Sequence, residues 1–443
     1  MTLWTPTLDN DDLPIYRRIA DALERDIRSG LLVDGSQLPT HRELARLLAI
    51  TPVTVTRAYA EAAQRGLVAS AAGRGTFVRG PRRDGALPAT EIDLATNVVS
   101  VPLPTPSAAA LQRALSTLGG SYIAAAGSER HRSAGAAWIG RRTDPARVFV
   151  TAGTQNALFL AFAAAARTDE TVLCESVTYH GAKAIAQLLR IKLEPLPMDR
   201  YGILPDAFER AARGRNVKAL FTTPSLQNPT GIVIPDKRRR DLAAAADKHG
   251  ITIIEDDVCG FLLEEAPTPF ATLLPDRTIF LTGLGKAISP ALRVGYLVAP
   301  DALAPRVQSA LAAATLFTSP IVAELAATWI EDGTAAKLAA QKRAEVARRT
   351  VLARRILGRR ANSADLRSPN LWLEVPRRWT ADTFADEARR RNVRVASASS
   401  FTVAGEVPRF VRISIAAPPT AGELESALHV LAAIDEERTE TVV

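Results

Sequence analysis

The first eighty residues have the hydrophobic pattern of short amphipathic helices. Four apolar residues recur with a period near four and predict a first helix; they are Ile15, Ile19, Leu23 and Ile27. Thr40 and Glu43 form a capping box that starts a second helix, and Thr51 precedes a proline in the N1 position of a third. Short apolar strands around residues 73–75 then predict a hairpin. Three helices and a hairpin are the element order of a winged helix-turn-helix.

A different pattern begins at Ile92, where continuous apolar runs alternate with alanine-rich stretches. Such runs are typical of strands buried on both faces of a mostly parallel sheet, with helices between them. The runs are Val148–Val150, Thr171–Leu173, Ala219–Phe221, Ile251–Ile254, Ile279–Leu281 and Val294–Val298. Further mixed strands and helices after Leu371 predict a smaller C-terminal α/β domain.

These patterns divide the chain into two domains and a linker. We assign residues 11–80 to the winged helix domain and residues 92–433 to the α/β domain, whose large part is about 92–330 and whose small part is about 331–433. The residues between them, 81–91, have the proline, glycine and charge content of a linker.

The composition of the chain bears on its cellular compartment and on whether it binds a membrane or a metal. The chain has 443 residues, 47% of them hydrophobic and 23% charged, with a net charge of +8. It has no apolar run long enough for a membrane span and no signal peptide pattern, so we expect a cytoplasmic protein without a membrane partner. The two cysteines, Cys174 and Cys259, have no metal-ligand spacing, and we assign no metal site.

The positive charge is concentrated in the first domain. Residues 35–84 contain eight Arg against two Glu and one Asp, which favours contact with the phosphates of double-stranded DNA. Thr51, Thr54 and Arg57 lie at the start of the helix expected in the major groove, and Arg74 lies at the tip of the wing. The alternative is a three-helix packing module with a solvated basic face.

Polar residues with suitable chemistry follow the predicted strands of the second domain, where ligands of parallel sheets bind. In chain order they are Gly153, Thr154 and Gln155, then Tyr179, Asn228, Asp256, Lys286 and Arg293. Taken singly, each has an ordinary structural explanation: a helix start, a turn, an ion pair or a solvated lysine. Together they supply a phosphate cradle, a stacking ring, a carboxylate and an imine-forming lysine. Pyridoxal phosphate requires this set.

Residues 16–78 closely resemble the GntR type of bacterial DNA-binding domain. The matching motifs are Tyr-x-x-Ile-Ala, Gly-x-x-Leu-Pro-Thr-x-Arg-x-Leu-Ala, Thr-x-x-Thr-Val-x-x-Ala-Tyr and Gly-x-Gly-Thr-Phe-Val. The resemblance implies DNA contacts by Arg42, Thr51, Thr54 and Arg57. It implies further contacts by Arg74 and Thr76 in the wing.

The second domain resembles the fold type I aminotransferases, and the whole chain is similar to the MocR subfamily of transcriptional regulators. The resemblance implies that Lys286 forms the Schiff base with pyridoxal 5'-phosphate and that Asp256 pairs with the pyridine nitrogen. Asn228 would lie beside the ring hydroxyl and Tyr179 would stack on the ring, while Gly153, Thr154, Gln155 and Arg293 would hold the phosphate. Arg412 matches the position that binds the α-carboxylate of an amino acid. The family also implies a homodimer.

Two positions depart from the pattern of the aminotransferases. The family usually has a tyrosine two or three residues after the first Asp of the acidic pair, where this chain has Val258 and Cys259. It commonly has a serine three residues before the lysine, where this chain has Gly283. We expect weaker cofactor binding, by about 1–3 kcal/mol if neither hydroxyl is replaced, and inefficient transamination.

Three functions are consistent with this sequence. In the first, a transcription factor senses pyridoxal phosphate, an amino-compound effector that forms an external aldimine with it, or both. In the second, an active aminotransferase carries a DNA-binding head. In the third, a regulator has lost the cofactor and uses the domain only to form dimers.

One further stretch carries charge. Residues 337–360 contain nine Lys or Arg and the single acid Glu345. Their alanine and leucine content predicts a long helix, with either a solvated basic face or a face that contacts flanking DNA.

Overall fold

The computed structural model describes residues 4–7, 14–28, 32, 36–65, 67–71, 75–78, 91–119, 122–140, 143–361 and 365–436. It divides into two compact units, Met1–Ala89 and Thr90–Val443. The predicted wing contact Arg74 and linker residues 81–90 lie outside the described residues. Across the described ranges, no helix is both long enough and apolar enough to cross a bilayer.

Helices and strands are numbered in chain order. The helices are α1 (Ile15–Arg28), α2 (His41–Leu47), α3 (Pro52–Gln64), α4 (Ala108–Ser116), α5 (Glu129–Ile139), α6 (Thr154–Ala165), α7 (His180–Leu189), α8 (Pro205–Ala212), α9 (Asp236–His249), α10 (Phe270–Leu273), α11 (Leu284–Ala287), α12 (Ala304–Ala314), α13 (Pro320–Glu331), α14 (Thr334–Leu357), α15 (Ala381–Arg390) and α16 (Ala421–Glu436). The strands are β1 (Val68–Ala71), β2 (Gly75–Val78), β3 (Ile92–Asp93), β4 (Val148–Thr151), β5 (Thr171–Glu175), β6 (Lys192–Leu196), β7 (Met198–Asp199), β8 (Gly202–Ile203), β9 (Val217–Thr222), β10 (Thr252–Asp256), β11 (Thr278–Gly283), β12 (Gly295–Val298), β13 (Asn370–Glu374), β14 (Val393–Arg394), β15 (Ala396–Ser397) and β16 (Phe410–Ser414).

The first unit is the predicted winged helix-turn-helix. Both signals of the capping box at the start of α2 are present, because Glu43 N donates to Thr40 Oγ1 and Thr40 N donates to Glu43 Oε2. The helices pack around a core that includes Ile19, Leu44 and Val55, and β1 pairs with β2 in an antiparallel hairpin.

The second unit contains the predicted, mostly parallel sheet. Its strand order is β4-β12-β11-β10-β9-β5-β6. β12 runs antiparallel to both of its neighbours, and the other neighbouring pairs are parallel. Its strands contribute to separate apolar clusters, one with α6, α7 and α12 and others with α5, α8, α9 and α13. The fold class expected from the sequence is therefore confirmed.

The small C-terminal domain contains the sheet β13-β16-β15. A second, parallel pair joins β14 to β3 from the beginning of the unit. Leucine, valine and isoleucine side chains from β13, β16, α14 and α16 form its core with Leu94. The segment that leads into the second unit is thus built into the small domain, next to the strand that carries Arg412.

The long basic helix is present as α14, but two of its cations are buried. Lys342 is 1% exposed and Arg349 is 3% exposed. Lys342 Nζ donates to the carbonyls of Lys286 and Ile288 at 2.7 and 2.8 Å, and Arg349 donates to Ile415 O and Pro418 O. The prediction of a solvated or DNA-binding face is wrong for these two residues, because main-chain carbonyls from other segments accept hydrogen bonds from both, and Glu345 of the same helix also pairs with Arg349.

Candidate functional site

A cavity of about 440 Å³ lies at the carboxyl ends of β4, β5, β9, β10 and β11. The residues that the sequence predicts to bind the cofactor all line it: Gly153, Thr154, Gln155, Tyr179, Asn228, Asp256, Lys286 and Arg293. Arg412 lines it from β16 of the small domain. The fold brings these residues together from positions up to 259 residues apart in the chain, Gly153 and Arg412 being the extremes.

The side of the cavity at the start of α6 has the features of an anion cradle. Gly153 adopts φ +86°, and a Cβ built there would lie 2.9 Å from Nη2 of Arg293, so a larger residue would displace the guanidinium. The amides at the start of α6 present the positive end of the helix dipole to the same place. A side chain at Gly283 would collide with the hydroxyl of Thr154. Thr154 therefore occupies the space left by the serine that this chain lacks.

Tyr179 is held with its ring against the cavity. Its hydroxyl donates to Gln155 Oε1 at 3.0 Å, and Gly181 lies so close beneath the ring that any larger side chain would clash with it. The ring of His180 lies 4.7 Å from that of Tyr179 and also lines the cavity. Both rings are available to a planar ligand.

Asp256 ends β10 and is 4% exposed. Burial raises the pKa of its carboxyl to about 7, although the amide of Val258 donates to Oδ1 at 3.2 Å and opposes the shift. A carboxyl in this environment gains from a cationic partner in the cavity. The protonated nitrogen of a pyridine ring is such a partner.

Lys286 lies in the short helix α11, partly buried. Burial lowers the pKa of its amine, and the nearby Arg412 guanidinium adds to this effect. A lysine with a depressed pKa has more of the neutral amine that attacks an aldehyde. Its Nζ donates to the carbonyl of Asn97 at 2.7 Å. The main-chain carbonyl of Lys286 accepts a hydrogen bond from Nζ of Lys342.

Arg412 is buried beside Asn228 on the small-domain side of the cavity. Its Nη1 donates to Asn228 Oδ1 at 2.9 Å, its Nη2 donates to the carbonyl of Ala95, and its guanidinium lies over the ring of Phe401. Burial lowers its pKa to about 10. None of these contacts neutralises its charge, so the site favours an anionic group such as a carboxylate.

Several cavity residues were not singled out from the sequence. Both amide atoms of the Asn97 side chain, the hydroxyl of Thr223 and Nε of Arg412 are buried without a hydrogen-bond partner in the described residues. No motif identifies Asn97 or Thr223, because their roles depend on contacts across the fold. Unsatisfied polar atoms, an anion cradle and a lysine amine of lowered pKa around one cavity fit the chemistry of pyridoxal phosphate.

A pH dependence follows from the raised pKa of Asp256. In cofactor-free protein the folded state retains a proton that the unfolded chain, with an aspartate pKa near 4, has released. Stability is therefore expected to fall as pH rises from about 5 to 8, by about 2 kcal/mol relative to Asp256→Asn. Urea unfolding of both proteins across this range measures the difference. A constant difference between them would contradict the assignment.

The residues predicted to contact DNA lie on the first unit. Arg42 and Arg57 are exposed, whereas the hydroxyl of Thr51 caps α3 by accepting from the amide of Thr54. Thr76 is only 7% exposed, and its carbonyl accepts from the amide of Leu38. The burial of Thr76 disfavours a direct phosphate contact by its side chain, so the exposed arginines are the stronger candidates.

Comparison with known proteins agrees with both halves of this description. Residues 89–431 match the family described as aminotransferase class I and II, and residues 15–78 match the gntR family of bacterial regulatory proteins. YdeF of Bacillus subtilis (strain 168), an uncharacterized HTH-type transcriptional regulator, is 29% identical over 97% of this chain and 96% of its own length. The pyridoxine biosynthesis transcriptional regulator PdxR of Corynebacterium glutamicum is 29% identical over 65% of this chain and 66% of its own.

Solved structures show the same fold for the second unit. An archaeal alanine:glyoxylate aminotransferase superimposes with a TM-score of 0.71 at 22% identity, covering 79% of this chain and 91% of its own. The α-aminoadipate aminotransferase LysN of Thermus thermophilus does so with a TM-score of 0.69 at 24% identity, covering 79% and 92%.

Proposed function

Because the chain belongs to the class I and II aminotransferase family and joins that domain to a gntR-type DNA-binding domain, as MocR regulators do, we propose a ligand-sensing function. The protein is a transcriptional regulator, and its second domain binds pyridoxal 5'-phosphate through Lys286. It responds to the cofactor itself or to an amino compound that reacts with it. Since it acts on DNA, we place it in the cytoplasm.

One observation carries the cofactor proposal. The amine of Lys286, with its lowered pKa, shares a cavity with the buried carboxyl of Asp256 and with the cradle of Gly153, Thr154 and Arg293. When bound, pyridoxal phosphate supplies an aldehyde that forms a Schiff base with a lysine and exchanges it for another amine. Asp256 would keep the ring nitrogen protonated, and Arg293 would pair with the phosphate.

The effector proposal depends on Arg412. Its buried guanidinium faces the cavity, and its hydrogen-bond and ring contacts are with Asn228, Ala95 and Phe401, which carry no charge. An amino compound with a carboxylate would neutralise this charge while its amine reaches the cofactor. The relative PdxR is named for the regulation of pyridoxine biosynthesis, which supports a signal related to the cofactor.

A homodimer is the assembly that fits this domain. Helix α4 exposes Leu111 and Leu115 at 44% and 57%, at a spacing that puts them on one helix face, and Leu118 just after the helix is 63% exposed. Tyr122 is 82% exposed and packs edge-on against Phe317. Large apolar side chains grouped in this way favour burial against a second copy of the chain.

Transamination is the second candidate function, because Lys286, Asp256 and Arg412 share the cavity. Cys259 lines it as well, and burial raises the pKa of its thiol to about 11. Because a thiol is only a weak hydrogen-bond donor and acceptor, it is a poor replacement for a phenol. An assay that follows keto-acid release from amino acids separates the two functions. A sensor binds amino acid stoichiometrically without releasing product, whereas an enzyme turns over.

Contact between Arg57 and DNA phosphate is testable without knowledge of the operator. The logarithm of the affinity for a generic duplex falls linearly with the logarithm of salt concentration, in proportion to the phosphates contacted. We expect Arg57→Ala to reduce that slope by about one for each chain bound, measured by fluorescence anisotropy. A wild-type slope for this variant would rule out the contact.

Arg65→Ala is the matched control for this measurement. The Arg65 guanidinium is engaged by Asp21, Glu24 and Glu61 of its own unit, so its charge is already compensated. We expect the salt slope of this variant to equal that of the wild type.

A further inference from the structure

The segment that enters the second unit contacts the two side chains that the proposed ligands need. Residues 91–98, which we call the entry segment, directly follow the undescribed residues 79–90 that come after the wing. Its first half is attached to the small domain. Ile92 N donates to Asn392 O at 2.7 Å, Leu94 N donates to Arg394 O at 2.8 Å, and Glu91 pairs with Arg389 at 3.5 Å.

The second half of the entry segment forms a wall of the cavity. The carbonyl of Ala95 accepts from the Arg412 guanidinium, and the carbonyl of Asn97 accepts from Lys286 Nζ at 2.7 Å. Lys286 belongs to the large domain, so its bond to Asn97 ties the entry segment, and with it the small domain, to the lysine turn. Both side chains that the proposed ligands need are thus in contact with main-chain carbonyls of the entry segment.

We propose that ligand binding releases the entry segment from Lys286 and Arg412. The inference rests on the proposed function. When bound, pyridoxal phosphate would supply an aldehyde to Lys286, whose amine would give up two hydrogens that leave with the aldehyde oxygen as water. The three N–H donors of the ammonium become at most one, and Asn97 O loses its partner. A carboxylate that pairs with Nη2 of Arg412 would compete with Ala95 O for that donor.

The Asn97 side chain makes no hydrogen bond to the described residues in the present position of the entry segment. Both Nδ2 and Oδ1 are buried with no partner in the described structure. An unsatisfied buried amide costs free energy, so movement that gives Asn97 a partner or exposes it to water offsets part of the loss of the lysine contact. The contacts of Asp93 with Ala95 N, Thr96 N and Arg394 hold the β3 end. The held part therefore extends to Thr96, and the released portion is residues 97–98, together with the tie between the small domain and the lysine turn.

Hydrogen exchange of the full-length protein, followed by mass spectrometry of peptides that span residues 91–100, tests this inference. In cofactor-free protein, Lys286→Met removes the donor to Asn97 O. Loss of one charge-assisted hydrogen bond is expected to raise exchange in this segment about tenfold. Pyridoxal phosphate should produce the same increase in the wild type and no further increase in Lys286→Met.

Lys183→Met is the matched control. Lys183 Nζ donates to the carbonyls of Ser400 and Thr402 at 3.1 and 2.6 Å, so this variant removes a comparable contact elsewhere in the small domain. We expect faster exchange around residues 399–403 and unchanged exchange in residues 91–100.

The absorbance of the same wild-type samples distinguishes the two proposals. A Schiff-base band with unaltered exchange in residues 91–100 would overturn the release of the segment and leave the cofactor proposal intact. No band would overturn the cofactor proposal. In that case, faster exchange in cofactor-free Lys286→Met would still support the lysine tie, and unchanged exchange would reject it.

Discussion

The purified protein, incubated with pyridoxal phosphate and then freed of unbound cofactor, is expected to show a Schiff-base absorbance band near the visible edge, and Lys286→Ala is expected to abolish it. The amine of Lys286 is the group in the cavity that can form an imine, since its pKa is lowered by burial and it lies among the residues suited to the phosphate and the ring nitrogen. Borohydride reduction should attach the cofactor irreversibly to the peptide that contains Lys286, which mass spectrometry identifies.

Lys183→Ala controls for general effects of lysine removal. This residue lies outside the cavity lining and donates to carbonyls of the small domain, so the variant should retain the band. If the wild type gives no band, the domain serves another role, such as dimer formation. If Lys286→Ala retains the band, a different lysine carries the cofactor.

The second large effect is expected for Arg239→Met. Arg239 is 1% exposed, lies 3.5 Å from the fully buried carboxylate of Glu255, and donates to Pro224 O and Ile234 O at 2.9 and 2.8 Å. Its removal leaves Glu255 buried without this cation and frees the turn that leads to Asn228. We expect a loss of about 3–5 kcal/mol in the free energy of unfolding, measured by urea denaturation.

Two further variants make this prediction specific. Arg240→Met removes an exposed neighbouring arginine of the same helix and should change stability by no more than about 0.5 kcal/mol. Arg239→Met combined with Glu255→Gln removes the unpaired charge and should recover part of the loss. Equal urea midpoints for Arg239→Met and the wild type would contradict the proposed role of the ion pair.

Local signals in the sequence predicted much of the fold. The Thr40–Glu43 capping box and the Thr51–Pro52 helix start depend on residues within one turn of each other, so they can be identified without tertiary information. The apolar runs located β4, β5, β9, β10 and β11 because strands buried on both faces carry no polar alternation. Lys286 and Asp256 could be selected because they follow those strands.

Contacts between distant segments were beyond the reach of these signals. The basic composition of residues 337–360 predicted exposure, but Lys342 and Arg349 meet carbonyls contributed by other parts of the chain. In the sequence, Gly283 indicated only that a serine hydroxyl is missing. In the fold, the hydroxyl of Thr154 occupies the space that a side chain at position 283 would need. Arg412 could be assigned only through the family resemblance, because a single arginine in a short strand has no pattern of its own.

The pairing of β3 with β14 has a consequence for synthesis on the ribosome. Residues 92–93 pair with residues 393–394, so the small domain and its wall of the cavity cannot be completed until nearly the whole chain has emerged. The first unit has its own core and can fold much earlier, since domains generally fold as units from the N-terminus. A chain that stops early, through a nonsense codon or stalled translation, would therefore retain the DNA-binding domain but lack a complete ligand-binding cavity.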